Sequence, residues 1–126
     1  MKEAITAKDA PGAIGPYSQA VRSGGLLFVS GQIPLDPETG QVVGSDIAAQ
    51  TERVMKNLGA ILSSAGLGFD DVVRTTVYLV DLGHFAIVNE VYGRTFRAPY
   101  PARSTVQVSA LPRGVGIEID ALAVAR

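Results

Sequence analysis

Apolar residues follow two rhythms along this chain. Ile47, Val54, Leu58, Ile61 and Ala65 recur at helical spacing. Asp46, after the turn-forming Gly44 and Ser45, stands where an N-cap is needed, and Gly66 stands where a C-terminal glycine closes a helix. A second helix is predicted from about Gly83 to Phe96, with Phe85, Val88, Tyr92 and Phe96 on one face, stopping before Pro99 and Pro101. Gly93 within it costs about 1 kcal/mol against alanine, which points to close packing there.

The other apolar segments alternate as strands do: Ala20 to Arg22, Leu26 to Ser30, Val72 to Leu79, Ser104 to Val108 and Ile117 to Val124, with an edge strand near Glu3 to Thr6. Gly24 and Gly25 join the first two as a hairpin. Val73, Thr75, Val77 and Leu79 are expected to share one face, as are Ile117, Ile119, Ala121 and Ala123; both faces suit the helices. The other face of the last strand mixes Glu118 and Asp120 with Leu122 and Val124, which fits neither plain solvent nor plain core and calls for subunit packing. Asp36-Pro37 and Thr39-Gly40 mark a turn-rich connector. No repeat or linker interrupts the chain, so residues 1–126 read as one domain.

Composition narrows the chemistry. Hydrophobic residues make up 47% and charged residues 18%, which again favours burial in an oligomer. The net charge of -1, with basic residues scattered, gives no surface for a polyanion, so no nucleic-acid partner is expected. No apolar leader follows Lys2 and no run is long enough for a membrane helix, so a soluble, cytoplasmic protein is expected. With no cysteine and His84 as the one histidine, thiolate nucleophiles, clustered zinc ligands and histidine-pair chemistry lack their parts, and no metal is expected. His84, near a helix start, is given no role.

Carboxylate, guanidinium, hydroxyl, backbone and water remain. Arg103 opens a strand after Pro101-Ala102, a rigid mount for a planar fork suited to a carboxylate or phosphate, and equally for a subunit salt bridge. Glu118, between Ile117 and Ile119, is either a solvent-facing strand residue or an acid in a cleft. The two are expected on neighbouring strands, sharing one pocket. Glu118 and Asp120 lie about 7 Å apart on one face, a spacing glycosidases use, but a chain without tryptophan lacks the usual sugar platforms. Tyr17, behind Gly15-Pro16, is either a packed loop aromatic or a phenol at a cleft edge. Ser30-Gly31 ends a strand where backbone groups come free and glycine admits a ligand closely. The glycines at Gly66-Gly68 and Gly114-Gly116 follow a helix and precede a strand, respectively, so neither makes a nucleotide fingerprint.

Taken together, AIGPYSQAV from Ala13, LLFVSGQIPLDPETG from Leu26, RTTVYLVDL from Arg74 and YPARSTVQVSALPRGVGIEIDALAV from Tyr100 resemble the RidA (YjgF) family nearly end to end. The resemblance implies a chorismate mutase-like α+β fold, a mixed β-sheet with two helices packed on one face, assembled as a homotrimer with clefts between subunits. It implies hydrolysis of reactive 2-imino acids, in exchange with 2-aminoacrylate-type enamines, to 2-keto acids and ammonia, without a metal or organic cofactor. Arg103 matches the family's carboxylate-binding arginine, Glu118 its water-orienting acid and Tyr17 its cleft tyrosine. Ser30, Gly31 and Asn89 match residues lining the substrate cleft. Thr105 stands where many members carry cysteine, which puts thiol-specific reactivity in doubt but not hydrolysis. The alternatives are a keto-acid-sensing or protein-binding trimer and an endoribonuclease.

Overall fold

The structure, a computed structural model, describes residues 1–125. Strands β1 (Lys2–Ile5), β2 (Ala20–Ser23), β3 (Leu26–Gln32), β4 (Val72–Leu79), β5 (Ala102–Gln107) and β6 (Ile117–Val124) form one sheet with helices α1 (Ile47–Ser64) and α2 (Phe85–Thr95). The strand order is β1-β2-β3-β6-β4-β5. Among the described residues only β4 and β5 pair in parallel, so the sheet is mixed. Because β6 runs antiparallel to both β3 and β4, β3 and β4 run in the same direction, and α1 crosses between them as α2 crosses from β4 to β5. Both crossovers move the same way across the sheet, so a common hand brings both helices to one face.

Local signals account for the elements. Asp46 caps α1, its Oδ1 accepting the Ala49 N–H at 2.8 Å, and Gly66 at φ 76° completes the exit after Ala65. Gly24 at φ 60° turns the β2–β3 hairpin. The helix side of the sheet presents Leu27 and Val29, Thr75, Val77 and Leu79, and Ile117, Ile119, Ala121 and Ala123 to Val54, Leu58, Ile61 and Leu62 of α1 and Val88, Val91 and Tyr92 of α2, all of them buried. Each large aliphatic side chain enclosed there contributes about 1.5–3 kcal/mol.

Three expectations need correction. Val73 leaves the core face and is 45% exposed, because the β4–β6 register shifts between Val72 and Arg74 and brings Val72 into the core instead. Phe85 is 40% exposed, since α2 begins at that residue after a 3-10 turn at Leu82–His84 and its first turn lies over the sheet edge. Gly93 is not closely packed: a methyl group built there meets nothing within 4 Å.

Among the described residues no helix covers the opposite face of the sheet. Phe28 lies beside Leu122, Leu26 beside Val124 and Tyr78 beside Val106, and Phe28 is 46% exposed. Among the described residues no helix is long and apolar enough to cross a membrane.

Candidate active site

Arg103 and Glu118 do not meet within one chain. Their strands are not neighbours, because β4 lies between β5 and β6, separating them by about 10 Å across the sheet. Register and pleat separate them further: Arg103 aligns with Thr75, and Thr75 with Ala121, three residues along β6 from Glu118. Laterally paired residues share a face, so Arg103 lies on the helix side and Glu118 on the open side. The expected shared pocket is, in the single chain, two separate half-sites.

The first half-site is cationic. Arg103 stacks its guanidinium over the rings of Tyr92 at 4.8 Å and Phe85 at 5.5 Å, both from α2. Tyr92 is itself fixed, its hydroxyl 2.7 Å from Thr75 Oγ1. Among the described residues Arg103 has neither a hydrogen bond nor an ion pair, and its donors are not enclosed, so they are free to take an anion. With Asn89, Gly93, Tyr100 and Pro101 it lines a cavity of about 510 Å³, and Gly93 keeps the wall beside Asn89 open. Thr105 shares the helix-side face through its pairing with Val77, but its hydroxyl is enclosed without a hydrogen-bond partner among the described residues. A thiol at that position would forgo less, since its hydrogen bonds are weak.

The second half-site is acidic. Glu118 lies across Gly31: a methyl group built on Gly31 would fall 2.1 Å from Glu118 Oε2, so only glycine lets the carboxylate rest there. Burial, and secondarily the charge of Asp120, push the Glu118 carboxyl above its ordinary value. The surrounding cavity of about 450 Å³ is walled by Tyr17, Ile14, Ile33, Leu35 and Arg113. Tyr17 is 54% exposed at the edge of this cavity. Ser30 contributes less directly, since its Oγ donates to the Ser18 carbonyl at 2.6 Å and so ties the Tyr17 loop to the end of β3.

Two buried amides that carried no signal in the sequence hold these walls. Gln19 accepts the Ala7 N–H at 2.7 Å and donates to the Pro11 carbonyl at 2.7 Å, fixing the loop beside Tyr17. Asn57 of α1 donates to the Leu35 carbonyl at 3.0 Å and the Ile33 carbonyl at 3.3 Å, fixing the opposite wall. His84 is partly buried, 3.9 Å from Asp81, and lines neither half-site.

Among the described residues Arg103 and the partly desolvated Glu118 have no ion-pair partner and each lines an open cavity, an arrangement chemically able to hold a small carboxylic acid. The family model described as Endoribonuclease L-PSP matches residues 7–125, and the chain belongs to this family, the RidA family. It is 61% identical over 125 residues to Protein DfrA of Myxococcus xanthus, covering 98% of this chain and 95% of that one. It is 47% identical over 124 residues to the human 2-iminobutanoate/2-iminopropanoate deaminase, covering 98% and 90%. The crystal structure of E. coli TdcF with bound serine superposes at a TM-score of 0.94 with 45% identity, covering 98% of this chain and 99% of that one.

Proposed function

We propose that this protein hydrolyses 2-imino acids, and the enamines in exchange with them, to 2-keto acids and ammonia, at sites completed between the chains of a homotrimer. The observation that carries this reading is the pair of unsatisfied half-sites: Arg103 without an anion and Glu118 without a donor, each on a surface that a second copy can approach. Arg103 of one protomer holds the substrate carboxylate in a bidentate pair, while Asn89 lines the same wall. Glu118 of its neighbour holds a water against C2, with Tyr17 at the rim and the backbone at Ser30 and Gly31 beside the substrate.

The water adds to C2 of the iminium form as Glu118 takes its proton, giving a neutral carbinolamine. Glu118 returns that proton to nitrogen, the C–N bond breaks as the C2 hydroxyl gives its proton to Glu118, and the keto acid leaves with ammonia, which carries that last proton away as ammonium. Atoms balance with water as the only co-reactant. A carboxyl whose affinity for protons is raised suits these transfers better than an ordinary one. Imine hydrolysis is already rapid in water, so orientation supplies what the reaction needs.

The name of the human relative supports this reaction. A ligand-holding trimer without turnover is the second reading, favoured by the serine bound in TdcF. It leaves Glu118 unexplained, since holding a carboxylate requires Arg103 alone. The family description mentions endoribonuclease, but a net charge of -1 provides little attraction for RNA. The test is release of ammonia and keto acid from imine generated in situ by an amino acid oxidase. Acceleration over the uncatalysed rate is expected, and wild-type protein that binds 2-ketobutyrate without accelerating release would put the second reading in its place.

A further inference from the structure

The open face of the sheet holds an acid that the proposed reaction leaves unused. Asp120 stands two residues beyond Glu118 on β6, so both carboxylates project from the same face, about 7 Å apart. Tyr78, directly opposite Glu118 on β4, reaches diagonally and donates its hydroxyl proton to Asp120 Oδ2 at 3.1 Å. Among the described residues neither carboxylate has an ion-pair partner. Arg113, the cation lining the Glu118 cavity, donates instead to the Gly40 carbonyl at 3.1 Å. The remaining groups around the pair within the chain are Gly31 and Gln32 on β3, Thr76 opposite Asp120 on β4, and Tyr17 and Gln19 on the cavity wall; across the proposed interface the neighbour's Arg103 faces Glu118 with the substrate carboxylate between them.

We propose that Asp120, fixed by Tyr78, is a positioning residue that keeps Glu118 basic enough to accept a proton from water and pass it to the departing nitrogen. This rests on the reading of Glu118 as the group that activates water. That role asks for a carboxylate that takes a proton near neutral pH, which an ordinary one does poorly. A second negative charge on the same partly desolvated face disfavours ionised Glu118. The Tyr78 hydroxyl gives Asp120 a donor that Glu118 lacks, so the two acids stand in different surroundings on one face. Tyr78 stays a donor, since burial, followed by the charge of Asp120, holds its phenol above the ordinary range. Two carboxylates of similar chemistry thereby take different parts, one tethered by a donor and one free to reach water.

The protein labelled with carbon-13 at glutamate side-chain carboxyls tests this by NMR titration, the Glu118 signal being assigned by its loss in Glu118→Gln. In Asp120→Asn the Glu118 midpoint should move to lower pH, and in Asp120→Glu it should return toward the wild-type value. Imine-hydrolysis kcat at neutral pH should fall severalfold in Asp120→Asn, with KM little changed, and recover in Asp120→Glu. Asp120→Thr, a residue at home in a strand, serves in its place if the amide variant does not fold. A Glu118 midpoint indifferent to neutralising Asp120 overturns the proposal, whatever the protein does to imines. A midpoint that moves in a protein whose wild type hydrolyses no imine overturns the deaminase reading, and with it this role for Asp120.

Discussion

Gly31 decides whether Glu118 can lie over its cavity. An added methyl group would sit 2.1 Å from the Glu118 carboxylate, so Gly31→Ala forces the acid aside. A displacement on that scale lowers turnover by about 100-fold while leaving carboxylate binding at Arg103 in place, to be read as kcat against 2-ketobutyrate affinity. Arg103→Ala should do the reverse, lowering kcat/KM at least about tenfold and abolishing keto-acid binding, since each charge-assisted bond contributes about 1.5–3 kcal/mol. Glu118 also has a stability signature. Its carboxyl is held above its ordinary value, so the folded state favours the protonated form; its contribution to stability is present at low pH and lost as pH rises through the folded midpoint. Glu118→Gln should therefore raise the unfolding midpoint at neutral pH, and the gain over wild type should shrink in acid. A gain that grew in acid would contradict the assignment. Much at this scale was legible, because Arg103, Glu118 and Gly31 stand in short segments of marked character. Gln19 and Asn57 were not: a buried amide that satisfies loop backbone shows no periodicity, and its partners lie 12 and 22 residues away.

Helix α2 carries a glycine where alanine would stabilise it. Nothing touches the place where a Gly93 side chain would go, yet Gly93 lines the Arg103 cavity. Gly93→Ala should stabilise the helix by about 1 kcal/mol in denaturant unfolding while raising KM, because the methyl group occupies ligand space. Unchanged KM would mean that the ligand does not pass this wall. At the start of α1, Asp46→Ala should lower stability by about 1 kcal/mol through loss of its bond to Ala49 N–H. The elements themselves were readable from periodicity, capping and turn residues. Their lateral order was not. The last strand inserts between β3 and β4, and alternation within a strand carries no information about its neighbour, so Arg103 and Glu118 looked adjacent. The register shift at Val72 and Arg74 was hidden for a similar reason: a bulge is a relation between two strands.

The whole molecule leaves a sheet face of Leu26, Phe28, Val106, Leu122 and Val124 without a covering layer. The composition, rich in apolar residues and poor in charge, anticipated this. In the homotrimer proposed above, light scattering at micromolar concentration should give three times the mass of one chain, and a monomer would remove both the covering and the composite site. The most direct test mixes two inactive proteins. Arg103→Ala and Glu118→Gln variants, unfolded together in equal amounts and refolded, should recover about a quarter of wild-type imine hydrolysis, because about one interface in four then joins an intact Arg103 to an intact Glu118. Variants refolded separately and then combined should stay inactive. No recovery in mixed trimers whose assembly is verified would mean that Arg103 and Glu118 do not act across the interface, contradicting the account.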